Sequence, residues 1–114
     1  MGKYYSATRD QLQDADNLQV GSLAKRTVIV DDDAKTVSHF QFKPGDETGW
    51  HKHEHDYFVV YLTDCKLLHM PRNGPEMVID HKSRESRHIK AGVEHHVRSI
   101  ADWDVELLEV EYKK

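Results

Sequence analysis

The segment GWHKHEHDYFVVYL, residues 49–62, places three histidines within five positions and then continues into apolar and aromatic sequence. Side chains alternate between the two faces of an extended strand, so His51 and His53 point to the same side, about 7 Å apart along the backbone. Two imidazoles on one face can converge on one metal ion, although two ligands rarely hold a metal alone. The segment therefore predicts a strand with one metal-binding side.

A third ligand is available at His95, within GVEHHV, residues 92–97. A glycine turn there leads into a strand, and strands distant in sequence can lie side by side in a small barrel. We therefore expect His51, His53 and His95 to form a metal site. The alternative is that His51 and His53 are solvated on a wet strand face. His96 alternates away from His95 and is expected to lie outside the site.

The other histidines have weaker patterns around them. By simple parity His55 shares the face of His51 and His53, so it either replaces His53 as a ligand or lines the barrel mouth. Four more histidines lack nearby partners and are expected to be surface or hydrogen-bonded residues: His39, His69, His81 and His88.

Short runs rich in Val, Ile, Phe and Tyr alternate with turn clusters through the rest of the chain. This spacing, with no long helical period, predicts an all-β sandwich or barrel over residues 25–114. Residues 1–24 are read as an N-terminal arm, with a short helix near residues 8–15 as an alternative. Asn73-Gly74 predicts a hairpin turn. Strands are predicted at residues 27–30, 36–42, 50–53, 57–62, 66–70, 76–79, 95–100 and 105–112, the last with one wet face, while residues 83–86 are read as a polar connection.

Composition excludes several classes of function. The 114 residues suit one domain. Twenty acidic residues outnumber sixteen basic ones, and without a basic run nucleic acid is not an expected partner. The longest apolar stretch, residues 57–62, is too short to cross a membrane. A single cysteine, Cys65, excludes an internal disulfide and suits the cytoplasm.

The chain resembles the cupin superfamily at both of its motifs. The stretch from Gly45 to His53 is similar to the first motif, a glycine followed after five residues by His-x-His, and KAGVEH, residues 90–95, is similar to the second. Residues 44–64 and 91–99 most resemble short bacterial cupins, among them those assigned to β-alanine degradation. The resemblance implies a double-stranded β-helix (jelly-roll) barrel with a metal inside, commonly iron, manganese, nickel or zinc.

Some positions depart from the superfamily pattern. Tyr57 and Phe58 stand where the first motif usually has a glutamate ligand, Lys90 replaces the usual proline of the second, and Ser99 replaces a common asparagine. The resemblance then implies a neutral three-histidine site, similar to that of the cupin thiol and diketone dioxygenases. We expect one divalent transition metal per chain, with iron(II) preferred and zinc, nickel or manganese as alternatives. Neutral ligands do not offset the positive charge of the ion, and three of them leave coordination positions open.

Tyr57 is the candidate catalytic residue. It shares a face with Val59 and Tyr61 and is expected to point into the barrel. Its phenol could donate a hydrogen bond to a metal-bound ligand or ionise and act as a base, or it could simply fill the core. The interior pocket is expected to be lined by Phe40, Phe42, Tyr57, Val59, Tyr61 and Val97, or by their facing neighbours.

These features predict a metal-dependent small cupin enzyme that acts on a small organic substrate, with a dioxygenase as the leading interpretation. A lyase or isomerase with Tyr57 as base is one alternative, and a non-catalytic, metal-stabilised small-ligand-binding cupin is another. A homodimer is also expected, because small cupins commonly pair through edge strands and an unpaired β edge is a liability.

Overall fold

The computed structural model describes residues 3–6 and 23–113, and the regular structure in these residues is entirely β-strand. The described part of the chain therefore offers no helix of the length and apolar character needed to cross a membrane. The short helix considered near residues 8–15 lies outside the described residues. The strands are, in chain order, β1 (Lys3–Ser6), β2 (Lys25–Asp31), β3 (Lys35–Phe42), β4 (His51–Lys52), β5 (Tyr57–Tyr61), β6 (Cys65–Pro71), β7 (Met77–His81), β8 (Ser86–Ile89), β9 (Glu94–Ser99) and β10 (Val105–Tyr112).

The strands form two five-stranded sheets. Sheet A has the spatial order β1-β7-β6-β9-β4, and sheet B the order β2-β3-β10-β5-β8. Every strand pairing within both sheets is antiparallel. The sheets face each other as a double-stranded β-helix, so the predicted all-β jelly-roll fold is confirmed.

The core lies between the sheets because one side of each central strand is apolar. In β5 the buried residues are Tyr57, Val59 and Tyr61, and the two residues between them are only partly buried. In β10 the same alternation buries Val105 and Leu107. Burying apolar side chains on one face of each sheet stabilises the sandwich at roughly 25 cal/mol per Å² removed from water.

The hairpin turn predicted at Asn73-Gly74 is confirmed. It lies in the connection between β6 and β7, which pair antiparallel. Gly74 has a φ of +123°, a backbone conformation that residues with a Cβ atom rarely adopt.

Three strands differ from the prediction. No strand was predicted at β8, which begins at Ser86, the last residue of the stretch read as a polar connection; it is a sheet-edge strand whose side chains alternate between exposed and partly buried, so it carries only a weak hydrophobic signal. At the N-terminus, β1 pairs with β7 inside the segment read as an arm. β4 spans only two residues, since Gly49 (φ +73°) precedes it and a bend at 54–55 follows shortly after it. The division into an arm at residues 1–24 and a barrel from residue 25 stays a prediction.

Candidate metal centre

Strand pairing places His51 directly opposite His95. The two residues are register partners in the antiparallel β4–β9 pair, so their imidazoles project from the same face of sheet A. His53 lies just beyond β4, where its N–H donates to the Val93 carbonyl at 2.9 Å and its carbonyl accepts from Gly92 N–H at 2.8 Å. These two bonds hold His53 in line with the strand after the regular pairing ends.

The three imidazoles converge through their Nε2 atoms. Nε2 of His51 lies 2.9 Å from Nε2 of His95 and 3.0 Å from Nε2 of His53. A ligand atom from each of the three residues lies within 4.8 Å of the others, an arrangement that could hold a metal ion. Imidazole nitrogens bound at about 2.1 Å to one ion, at right angles to each other, would be about 3.0 Å apart.

The tautomer of His51 also fits a shared cation. Its Nδ1 lies 3.0 Å from the Gly49 carbonyl oxygen, which can only accept, so Nδ1 donates and Nε2 carries a lone pair. One lone pair cannot accept a hydrogen bond from two neighbouring nitrogens at once. A cation between the three nitrogens would satisfy all of them, and the bond to Gly49 would orient the ligand.

Burial keeps the other two imidazoles neutral. Burial, followed by the nearby charge of His51, lowers the pKa of His53 to about 4. Burial, followed by the charges of the neighbouring histidines, lowers the pKa of His95 to about 2. A metal ligand must be deprotonated, so both side chains are in the form that binds a cation at neutral pH.

Tyr57 packs directly against this cluster. Its ring stacks on the His53 imidazole with 3.8 Å between ring centroids and an interplanar angle of 20°. Burial, followed by the charge of Glu109, raises the pKa of the Tyr57 phenol, so the hydroxyl is neutral in the metal-free protein. Tyr57 also lines the interior cavity.

His55 does not share the face of His51 and His53. The bend at Glu54-His55 breaks the strand alternation, and the His55 side chain is exposed. The parity that predicted a shared face applies only to continuous extended backbone, and His55 joins neither the described histidine cluster nor the described cavity wall. The structure gathers His53 into the cluster instead.

Two functional candidates were missed by the sequence patterns. His69 was expected to be a surface or hydrogen-bonded residue, but its ring lies 4.8 Å from the His95 ring and lines the cavity. Glu109 was assigned to a strand with one wet face, yet it lines the cavity, and its Oε1 is 3.8 Å from Nδ1 of His53. Burial, followed by the charge of Glu111, raises the pKa of Glu109 to about 7.

A parity signal existed for both missed residues. His69 is in phase along β6 with buried Cys65 and Leu67, and Glu109 is in phase along β10 with buried Leu107. Because both side chains are polar, the hydrophobic pattern did not mark these two positions as facing inward.

The remaining histidines lie away from the cluster. His39 is hydrogen-bonded to Glu106 at 2.9 Å, and His81 to Glu85 at 3.2 Å. His88 is exposed. His96 is 3.2 Å from Glu47, on the other side of β9 from His95. The predictions for these four residues are confirmed.

A cavity of about 130 Å³ adjoins the cluster inside the barrel. His51 and His95 are in its wall, together with Arg87 and Glu109. All six residues that the sequence suggested for the pocket line it: Phe40, Phe42, Tyr57, Val59, Tyr61 and Val97.

Solved structures identify this architecture. A cupin domain from Bordetella pertussis Tohama I matches with a TM-score of 0.79 and 32% sequence identity, covering 86% of this chain and 100% of that one. An RmlC-like cupin family protein from Methanocaldococcus jannaschii matches with a TM-score of 0.67 over 96% of this chain and 88% of its own. At 11% identity, the second match shows the fold alone. The fold is that of a cupin, and the histidine cluster lies inside it.

Sequence comparison narrows the relationship. The β-alanine degradation protein BauB of Pseudomonas aeruginosa PAO1 is 41% identical over 91 residues, which cover 76% of this chain and 90% of BauB. No family model matches the chain. The chain therefore belongs to the cupin superfamily. Within it, the chain is a small single-domain cupin related to BauB.

Proposed function

We propose that the protein is a metal-dependent enzyme that holds one divalent transition metal at His51, His53 and His95 and acts on a small organic molecule. The observation that carries this proposal is the convergence of three imidazole nitrogens beside a mainly apolar cavity. A structural metal is normally enclosed by four protein ligands, whereas three ligands leave positions open for another molecule. The name of the relative BauB, a β-alanine degradation protein, also supports a small organic substrate.

Iron(II) is the proposed metal and dioxygenation the proposed reaction class, with zinc, nickel or manganese as alternative ions. When bound, such a metal would supply Lewis acidity and, for iron, one-electron chemistry with oxygen. The chain's own contribution is to orient His51 through the Gly49 carbonyl, to hold His53 and His95 neutral, and to surround the open side with apolar walls that exclude water.

Tyr57 is proposed as the catalytic residue, in the role of a hydrogen-bond donor. Its phenol keeps its proton because burial raises the pKa, and it lines the cavity against the His53 ring. The lyase or isomerase alternative requires Tyr57 to act as a base, for which its phenol would have to give up its proton. A non-catalytic, small-ligand-binding cupin is the second candidate, since the mainly apolar cavity could bind a molecule without turning it over.

Metal analysis of protein purified without chelator or affinity tag tests the site. Wild type should contain close to one transition metal per chain by elemental mass spectrometry. Replacing His51, His53 or His95 by Ala should reduce that content severely, because each change removes one of only three protein ligands. His55→Ala is the matched control, since His55 lies in the same segment but is exposed. Full metal content in His95→Ala would overturn the site.

Two further proposals concern the cellular location and the oligomeric state of the protein. Cytoplasmic location is supported by Cys65, the single cysteine of the chain, which is buried and reduced. A homodimer is supported by β2, an edge strand of sheet B that exposes Val28 and Ile29.

A further inference from the structure

The three converging imidazoles each have a second ring nitrogen outside the point where they meet. They approach one another through Nε2, so an ion held between them would take the Nε2 lone pairs and leave a proton on each Nδ1. A metal-bound histidine almost always donates that proton to a carbonyl, a carboxylate or water, which fixes the tautomer and the direction of the ring. Each candidate ligand therefore needs a hydrogen-bond acceptor at Nδ1.

The surroundings of Nδ1 differ among the three ligands. Nδ1 of His51 has the Gly49 carbonyl oxygen at 3.0 Å. Nδ1 of His95 is buried and has no hydrogen-bond partner among the described residues. Nδ1 of His53 faces a side chain from the other sheet, since Oε1 of Glu109 on β10 lies 3.8 Å away. Glu109 is therefore the acceptor that the structure offers to His53.

Strand pairing explains how a residue of sheet B reaches this ligand. Glu109 is the register partner of Val59, and residues directly opposite each other in a sheet project from the same face. Val59 belongs to the buried core, so Glu109 also points between the sheets. The side chain of Glu109 is 18% exposed and that of His53 is 5% exposed. Because little water competes for these groups, a hydrogen bond between them is stronger than one at the surface.

We propose that Glu109 is the positioning residue of His53: its carboxyl oxygen accepts a hydrogen bond from Nδ1–H and keeps the Nε2 lone pair free for the metal. The two atoms are 3.8 Å apart, and hydrogen bonds at functional sites often tighten only once a ligand is bound. This role does not depend on the charge of Glu109, because a carboxyl oxygen accepts a hydrogen bond whether the group is ionised or protonated. This inference rests on the proposed function and adds a residue to its metal centre.

A different role for Glu109 would be that of a metal ligand. His53, Glu109 and Glu111 each offer a ligand atom within 4.8 Å of the others, an arrangement that could hold a cation of its own. A neutral imidazole has only one lone pair, however, and the histidine cluster uses the one on Nε2 of His53. The hydrogen bond from Nδ1 to Glu109 therefore agrees with the three-histidine site, whereas a second ion at Nδ1 requires a fully deprotonated ring.

Zinc affinity, measured by competition with a chromogenic chelator, tests the positioning role. In Glu109→Leu the Kd for zinc should rise roughly ten- to a hundredfold, the usual effect of losing the outer partner of a metal-bound histidine. Glu109→Gln keeps an acceptor oxygen and should stay within about threefold of wild type. The matched control is Glu106→Leu, which removes a carboxyl group of the same strand that is hydrogen-bonded to His39, away from the cluster. This control should bind zinc as wild type does.

Proton NMR of the zinc-loaded protein gives a signature that a merely structural role would not move. The Nδ1 proton of His53 should give a downfield signal that exchanges slowly with water, as should that of His51, which is bonded to Gly49. Glu109→Leu should speed exchange of the His53 proton roughly tenfold or more, while the His51 proton serves as the internal reference.

The outcomes separate this inference from the proposed function. Wild type that binds zinc, together with an unchanged Kd in Glu109→Leu or equal losses in the Leu and Gln variants, would overturn the role of Glu109 and leave the metal centre standing. Two zinc ions per chain in wild type and one in Glu109→Leu would make Glu109 a ligand and also overturn its positioning role. Wild type that binds no zinc or other transition metal would overturn the proposed function together with this inference.

Discussion

His51 illustrates how one backbone contact sets the chemistry of a side chain. The Gly49 carbonyl accepts a hydrogen bond from Nδ1, which leaves the Nε2 lone pair directed at the other two histidines. Gly49 itself has a φ of +73°, so a residue with a Cβ atom there would be strained. Gly49 thus acts on the candidate metal centre through its backbone conformation and its carbonyl group.

Tyr57→Phe separates catalysis from packing at the residue scale. The change removes one oxygen and keeps the ring that stacks on His53, so metal content should stay at the wild-type level. Stability should change by at most about 1–2 kcal/mol. If the phenol donates a proton or an oriented hydrogen bond, the turnover number should fall on the order of 10²–10⁴-fold. Oxygen consumption in the presence of the substrate measures this, and unchanged turnover would make Tyr57 a packing residue.

At the scale of elements, two strands of sheet B bring polar side chains into the cavity wall. β8 has a weak strand signal, yet its pairing with β5 brings Arg87 into the interior. β10 reads VELLEVEY, and its inward phase begins with Val105 and Leu107 and continues with Glu109. In both strands the period-two alternation, rather than hydrophobicity, determines which side chain faces inward.

His81 at the end of β7 should make folding stability depend on pH. Its buried ring stacks on Tyr61 with 4.2 Å between centroids. Burial lowers its pKa below the ordinary value of 6.5, against the opposing effect of the hydrogen bond that the ring donates to Glu85. As the pH falls below about 6.5 the unfolded chain binds more protons than the folded protein, so the free energy of unfolding decreases.

His81→Phe keeps an aromatic ring in the stack and removes the titrating group. Between pH 7 and pH 5, wild type should lose more stability than this variant, by less than about 1.4 kcal/mol per pH unit, the limit for one group. Urea unfolding at several pH values measures the difference, with exposed His88→Phe as the control. Parallel losses in wild type and His81→Phe would show that His81 does not contribute.

Metal binding should stabilise the whole barrel. The three candidate ligands lie on β4, just after β4, and on β9, so an ion joins segments that are distant in sequence. An ion that binds only the folded state, at 100 times its Kd, contributes about 2.7 kcal/mol. For a domain of this size EDTA should then lower the Tm by roughly 10 °C, and added metal should restore it. An identical Tm with and without chelator would show that the fold does not rely on the ion.

The exposed edge strand of sheet B should allow two chains to pair as a homodimer. Val28 and Ile29 on β2 are 49% and 57% exposed, and the register of β2 with β3 shifts between Val28 and Val30. An exposed apolar edge favours pairing with a second chain. Sedimentation at micromolar concentration should show a dimer, and Ile29→Glu should shift it toward monomer. A wild-type monomer under these conditions would refute the dimer.

Local signals in the sequence were enough to predict most of the fold. Turn residues and alternating apolar positions located eight of the ten strands of the described chain, including the hairpin at Asn73-Gly74. They missed β1, and they missed β8, because a short polar edge strand buries too little apolar surface to leave a pattern. Parity also brought His51 and His53 to one face, since it needs only a few residues of extended backbone.

The sequence by itself determined which histidines could share a strand face, because side-chain direction follows from local backbone geometry. Only the tertiary structure decided that His51 lies opposite His95, that His55 turns outward, and that Arg87 and Glu109 face each other across Val59. These placements depend on the register between strands far apart in the chain and on a local bend. Register is set by the packing of the whole barrel, which no short segment contains.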